Sequence, residues 1–386
     1  MHLYVLDNQL RRNFLYDRYI SLIWTERYNA AGEFEITTVD SREARNLFGL
    51  GVALALSESN AVMIVRTQEV EDTEESAILK ITGVSLESVL QERYAIPQLL
   101  GSEALEKWTV EGTPSAIMRK LFSDICVLKP YGETDGFPFY TPGTWSPPGN
   151  IPEPAEVVKY DVERGNLYDP IATIAQMYHV GFRFVRPDDT SKLYFEVYMG
   201  SVRTSGQGVL PPVIFSTKLD TLSQTNELKS LANYYNVAFV VSKEETAIVY
   251  GDGVENTISG FDRKVLYVDA GDIDLPVGSD RTTALIQRGK AALAEHRPII
   301  AFDGETPQNS RYKFGRDYFL GDLVEMTNGE GVSSNMRVTE QIFSSDEEGD
   351  KSFPTLTFDL LITPGSWLAW NALQVWDDAV GVWADV

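Results

Sequence analysis

Proton-transfer or metal chemistry in this chain would have to come from three histidines, one cysteine and a surplus of carboxylates. His2, His179 and His296 lie far apart, with no H-E-x-x-H pattern and no pair at metal-ligand spacing. His179 and His296 fall near the ends of expected helices, where a histidine more often complements the helix dipole than acts as a base. Cys126 follows Phe122 and Ile125 in an apolar stretch, the setting of a buried, inert thiol. As the lone cysteine it also excludes an intramolecular disulfide. Acidic neighbours such as Asp346-Glu347-Glu348 arise by chance among 56 acidic residues. They read as a solvated loop and not as a glycosidase pair. No G-x-S-x-G elbow occurs, Gly49-Leu50-Gly51 lacks the third glycine of a dinucleotide loop, and no G-x-x-x-x-G-K-[ST] loop is present. The run Gly251-Asp252-Gly253-Val254-Glu255-Asn256 looks like a calcium loop but lacks the ligand spacing, so a hairpin turn fits better. No catalytic, cofactor-binding or metal-binding residue is assigned, and the chain is expected not to be an enzyme.

The elements around these residues are mostly strands. Ile20, Leu22 and Trp24 alternate with Ser21, Ile23 and Thr25. After Asn29-Ala30-Ala31-Gly32 the alternation resumes through Phe34 and Ile36, which predicts a hairpin with one buried face. Strands follow at Val52 to Leu56, Val62 to Val70 and Ala77 to Thr82, a series that suggests a small barrel. Thr113 caps a helix with Pro114 first and Ile117, Leu121, Phe122 and Ile125 as its stripe. Asp169 and Pro170 open a second helix, with Ile171, Ile174, Ala175 and Tyr178 inward and Gly181 as its stop. Strands Phe182 to Val185 and Leu193 to Tyr198 complete an α+β module. The second half reads as strands at 213–215, 237–241, 247–250 and 265–268, then a helix from Asp280 to His296, then strands at 299–302, 322–326, 336–343 and 356–362. The expected class is α+β, mainly β: two small barrel-like domains with an α+β insertion. The expected divisions are 1–93, 94–210, 211–362 and a Trp-rich segment 363–386.

At 386 residues the chain is too long for one ordinary core. With 33 basic against 56 acidic residues its net charge is −23. Such a surface repels phosphate backbones and anionic membranes, which argues against non-specific nucleic-acid binding. The N-terminus lacks the pattern of a signal peptide, and no window reaches the apolar length of a membrane span, so membrane insertion is not expected.

Two aromatic-rich stretches are the candidate partner-interface residues. From Pro130 to Pro154 seven prolines and four glycines surround Tyr131, Phe137, Phe139, Tyr140 and Trp145. This reads as a long irregular loop, either folded on its own domain or clamped on a neighbouring subunit. The last stretch holds Trp367, Trp370, Trp376 and Trp383. It either packs on its own chain or anchors in a partner's groove.

Laid end to end, several segments resemble the tail-tip hub proteins of long non-contractile-tailed phages, relatives of contractile-tail baseplate hubs and siphophage tail-associated proteins. They are Ile20 to Tyr28, Gly32 to Glu35, Gly83 to Leu90, Tyr198 to Thr204, Pro212 to Ser216, Asn236 to Val240, Leu266 to Ala270, Tyr318 to Val324 and Arg337 to Glu340. The family usually has arginine at Val84 and an acidic residue at Val202, departures that put a local ion pair in doubt. The resemblance implies a virion protein at the distal end of the tail: a homotrimer whose paired barrels mimic sixfold symmetry. Its implied partners are the distal tail ring, the tape measure protein and receptor-binding or tip fibre proteins. DNA would be present only in transit, and the negative charge suits a channel wall. Rival readings are a cell-wall hydrolase and a receptor- or carbohydrate-binding tail protein.

Overall fold

The structure, a computed structural model, describes residues 1–72, 77–97, 105, 107–128, 151–186, 193–251, 253–273, 279–307, 310–328 and 333–358. The first part contains β1 (Leu3–Leu6), β2 (Arg12–Tyr16), β3 (Tyr19–Arg27), β4 (Glu33–Val39), α1 (Arg42–Leu47), β5 (Ala53–Leu56), β6 (Val62–Asp72) and β7 (Ala77–Ser85). A 3-10 turn follows at Leu86–Glu92. The insertion brings β8 (Lys107–Gly112), α2 (Pro114–Phe122), β9 (Val158–Glu163), α3 (Tyr168–Tyr178), β10 (Gly181–Val185) and β11 (Tyr194–Tyr198). Then come β12 (Val202–Arg203), β13 (Ile214–Ser216), β14 (Ser223–Ser230), β15 (Val237–Val241), β16 (Thr246–Tyr250), β17 (Val265–Asp269) and α4 (Ser279–Ala294). The last strands are β18 (Ile299–Glu305), β19 (Leu323–Thr327), β20 (Ser333–Asp346) and β21 (Gly349–Thr357).

The residues pack as two units. One comprises Met1–Leu228 with Ala301–Thr357, and the other is built on Lys229–Ile300. In the first, a 14-stranded sheet runs β14-β18-β21-β20-β3-β4-β7-β6-β5-β1-β2, with β12, β13 and β19 joined beside β20. The mainly β class with an α+β insertion stands. The barrel-like halves do not close, however: among the described residues the strand path ends openly at β2 and β14. The reason lies in β20, which is long enough to serve both halves. Its residues 333–337 pair with β19 and its residues 340–345 pair with β3. One shared strand therefore replaces two separate closures.

Period-two alternation explains the first core. Leu22 and Trp24 on β3, Phe34 and Ile36 on β4, and Leu79 and Ile81 on β7 are buried together. Burying each such side chain is worth about 1.5–3 kcal/mol. The insertion has its own core. Ile117, Leu121 and Phe122 of α2 and Ile171 and Ile174 of α3 pack on Phe182, Phe184 and Phe195 of β10–β11. Phe122 stacks on Phe195 with centroids 4.2 Å apart.

Helix ends show how local signals were sorted. Thr113 caps α2 as expected, its hydroxyl accepting from Ala116 N–H. Asp169 does not cap α3; it lies in the first turn. Asn166 performs the task, its Oδ1 accepting from Asp169 N–H at 2.9 Å. Gly181 does not stop α3 either. His179 takes the left-handed position with φ 53°, and Gly181 opens β10. Asp280 sits within α4.

In the second unit, β16-β15-β17 form a three-stranded sheet, with β16 antiparallel and β17 parallel to β15. The parallel pairing corrects the reading of residues 251–256. A stretch leading from β16 into a strand parallel to β15 is a crossover connection, not a hairpin turn. Helix α4 covers one face through Leu285 and Leu293 against Ala238, Val240, Val249 and Val268. Gly289 permits this approach, since a Cβ there would stand 2.6 Å from a Val249 methyl.

Candidate functional site

Four of the segments that carry the phage-hub resemblance, Ile20 to Tyr28, Tyr198 to Thr204, Tyr318 to Val324 and Arg337 to Glu340, meet at one tyrosine. Tyr28 follows β3, and its N–H donates to Thr339 O at 2.9 Å. Its hydroxyl donates to the carbonyls of His179 and Tyr198 at 3.0 and 3.1 Å. The Tyr198 ring meets it edge-on at 5.3 Å. Arg337 of β20 stands over the Tyr28 ring at 5.3 Å. Its Nη1 donates to Met199 O and Gly321 O, each at 2.7 Å.

Glycines make this convergence possible. A Cβ at Gly181 or Gly321 would meet the Tyr28 ring at 2.2 or 2.4 Å. One at Gly200 would meet the Gly321 carbonyl at 2.2 Å. Gly200 and Gly321 also have φ of 75° and 86°, the left-handed region where side chains are strained. Next to them Asp322, almost wholly buried, accepts from Arg203 Nε at 2.6 Å, Ser201 N–H at 2.8 Å and Phe319 N–H at 3.0 Å. Burial raises the Asp322 carboxyl above its usual range, with Arg203 pulling the other way. The arrangement locks four distant segments; it presents no reactive group.

A second polar cluster joins β3 to the insertion. Glu26, Glu87 and Arg183 line a cavity of about 40 Å³, room for one water. Arg183 pairs with Glu196 at 3.0 Å and covers the Tyr198 ring at 4.3 Å. Phe184 N–H donates to Glu87 Oε1 at 2.6 Å. Burial pushes the Glu26 carboxyl up to about 7 and raises Glu87 too. Sequence reading passed over this cluster, although the signal was there: Glu26 continues the inward parity of Leu22 and Trp24 on β3. Val84 lies opposite Glu33. Arg27 pairs with Glu33 at 2.6 Å.

A cleft of about 600 Å³ is lined by Met1, Glu58, Tyr312, Lys313, Asp350 and Lys351 among others. Burial raises the Asp350 carboxyl, but hydrogen bonds from the Met1 ammonium and the Ser345 hydroxyl outweigh it, and the group sits below its usual range. Such a carboxylate is a charge partner and a poor proton donor. Glu347 and Glu348 form the turn of the β20–β21 hairpin, and Asp346 at the end of β20 accepts from Glu348 N–H. Cys126 is buried, and desolvation pushes its thiol up to about 12. His296 hydrogen-bonds to Asn233 O through Nδ1 at 3.2 Å and meets the Tyr235 ring edge-on. Among the described residues no group of three or more His, Cys, Asp or Glu is placed to hold a metal. No helix among them is long and apolar enough to cross a membrane. Tyr131, Phe137, Phe139, Tyr140, Trp145, Trp367, Trp370, Trp376 and Trp383 all lie outside the described residues.

What the described surface does present is uncovered apolar area. At the sheet edge, β2 exposes Phe14 and Leu15, 38% and 45%. In the second unit Phe261 and Tyr267 are open to solvent. Edges and faces of this kind serve assembly more readily than catalysis.

Known proteins match in fold. The tail protein from Neisseria meningitidis MC58 superimposes with a TM-score of 0.57 at 14% identity, covering 94% of this chain and 98% of that one. The 43 kDa tail protein of prophage MuSo2 from Shewanella oneidensis gives a TM-score of 0.50 at 13% identity, covering 92% and 96%. No curated protein matches in sequence. The matched fold covers residues of both units, and four of the ordered segments that pointed to it gather at Tyr28. Residues 2–356 match the family described as Siphovirus ReqiPepy6 Gp37-like protein, and the chain belongs to that family.

Proposed function

We propose that this chain is a structural subunit of a phage tail tip, a trimeric hub at the distal end of the tail. The observation that carries the reading is the tail-protein fold, matched over 94% of the chain, in a member of a siphovirus family. The interior supports it: the glycine-lined space around Tyr28 is spent on locking segments together, and the open area lies at edges and faces. Three copies, each bringing two β-rich parts joined at β3 and β20, would present six similar elements to a distal tail ring. The other partners are then the tape measure protein and receptor-binding or tip fibre proteins. Tyr131, Phe137, Phe139, Tyr140 and Trp145 are the residues of this reading that contact a neighbouring subunit. A net charge of −23 lets DNA pass a channel wall without being held.

Two measurements test the proposal. Native mass spectrometry of the purified protein should give three copies of 43.2 kDa, about 130 kDa. Antibody labelling of intact virions should mark the tail end away from the head. A monomer at all concentrations together with label elsewhere on the particle would overturn it, and lysis of host cell walls by the isolated protein would favour a hydrolase.

A further inference from the structure

The three-stranded sheet of the second unit has a covered face and a bare one. Alternation sends Ala238, Val240, Val249 and Val268 towards α4. It sends Phe239, Ile248 and Tyr267 the other way, and the register sets these three side by side: Phe239 is opposite Ile248 on one side and Tyr267 on the other. Ile248 is 47% and Tyr267 66% exposed, and Phe261 on the adjoining turn is fully exposed. Among the described residues no element lies over this row. Arg263 stands over the Phe239 ring at 5.8 Å and gives its margin a positive charge.

We propose that the chain's own Trp-rich segment, 363–386, occupies this face. Three observations select it over other occupants. The first is position. Phe358, the last described residue, donates its N–H to Ile300 O at 3.0 Å in continuation of the β18–β21 ladder, so the segment sets out beside the last residue of the Lys229–Ile300 stretch. The second is reach. A unit of this size is about 25–30 Å across. The residues from Asp359 to Trp376 span about 60 Å when extended. The third is chemistry. The segment carries Trp367, Trp370, Trp376 and Trp383, acidic Asp377, Asp378 and Asp385, and no lysine or arginine. Each tryptophan offers about 150–250 Å² for burial, and Arg263 matches both the acidic charge and an indole face. Attachment to the same chain raises the local concentration of the segment far above that of a second copy. The inference is independent of the tail-hub reading, since it concerns only how one chain covers its own sheet.

The test uses the full chain. Tyr267→Cys is combined in turn with Leu373→Cys and Ala379→Cys, and a short bismaleimide is added. Cys126 is buried and stays silent. An intrachain link at either position, identified by peptide mass, is expected. No link at both, or links only between chains, would overturn the proposal, and the interchain case would assign the face to a second copy. As an independent readout, Ile248→Glu with Tyr267→Glu should raise acrylamide quenching of tryptophan fluorescence about two-fold as indoles leave cover. Unchanged quenching would also overturn it. Both substitutions sit at exposed positions, and the trimer mass measured alongside reports on the hub reading separately.

Discussion

The Tyr28 junction and the second unit's sheet hold themselves together by opposite means. At the junction, charge and backbone are buried in fixed geometry: Asp322 serves Arg203 and two amides, Arg337 serves two carbonyls, and glycines remove every Cβ in the way. In the second unit a small aliphatic core under α4 does the work, and among the described residues the other face stays exposed at Ile248 and Tyr267. Buried polar geometry admits one arrangement and fails abruptly when a member is removed. Aliphatic packing of one face tolerates change but leaves area that needs cover. The first region is built to be rigid; the second leaves the apolar face that the proposed terminal segment would cover.

Breaking the junction should have the largest effect. Asp322→Ala leaves Arg203 buried without its carboxylate and two amides unserved, and should cost about 3–5 kcal/mol in urea unfolding. Gly200→Ala forces a Cβ into the Gly321 backbone at a left-handed φ and should cost a comparable amount. If either variant unfolds like the parent protein, the junction is not held by its buried polar geometry.

The acidic cavity beside the junction sharpens the contrast through pH. Glu26 is raised in the folded protein from 4.5 to about 7. The folded state therefore keeps a proton that the unfolded chain has released. The contribution of Glu26 is full below about pH 4.5, is lost as pH rises towards 7 and changes no further above it. Glu26→Gln removes that loss and should stabilise the protein at pH 8 by about 3 kcal/mol, with little change at pH 4. Unfolding curves at the two pH values decide it; equal effects at both would sever the link to titration.

Gly289→Ala tests the aliphatic unit. Better helix propensity gains up to about 1 kcal/mol, while crowding of Val240 and Val249 costs about 1–3, so a net loss of about 1 kcal/mol is expected in thermal melts. Smallest of all, Phe14→Ser on exposed β2 should change monomer stability by less than about 0.5 kcal/mol. Its effect, if β2 is an assembly edge, appears in the oligomer mass.

Local signals were readable in proportion to how local their causes are. The β3–β4 hairpin follows from alternation on either side of residues 29–32, and α2 follows from Thr113-Pro114. At α3 two capping residues stand three apart, and the choice between Asn166 and Asp169 depended on the entry of the chain, which no spacing encodes. β1 and β2 went unread because β2 is exposed at four of its five positions and has no buried parity to show. The ordered segments revealed the family, yet not that four of them meet. Tyr28 finds its carbonyls 151 and 170 residues away, and Arg337 reaches back 138 residues to Met199. Composition discouraged a catalytic reading. The candidate interface aromatics stand where the described residues stop, so their placing rests on chemistry alone.

The tandem pairing of β20 has a mechanical consequence. Its 14 residues are gripped by β19 at one end, by β3 at the other, and by β21 along most of the opposite edge. A load drawn along the strand is shared by many ladder bonds in shear and cannot peel them off singly. Tension entering one half of the sheet is therefore carried to the other as through a splice plate, with little slack.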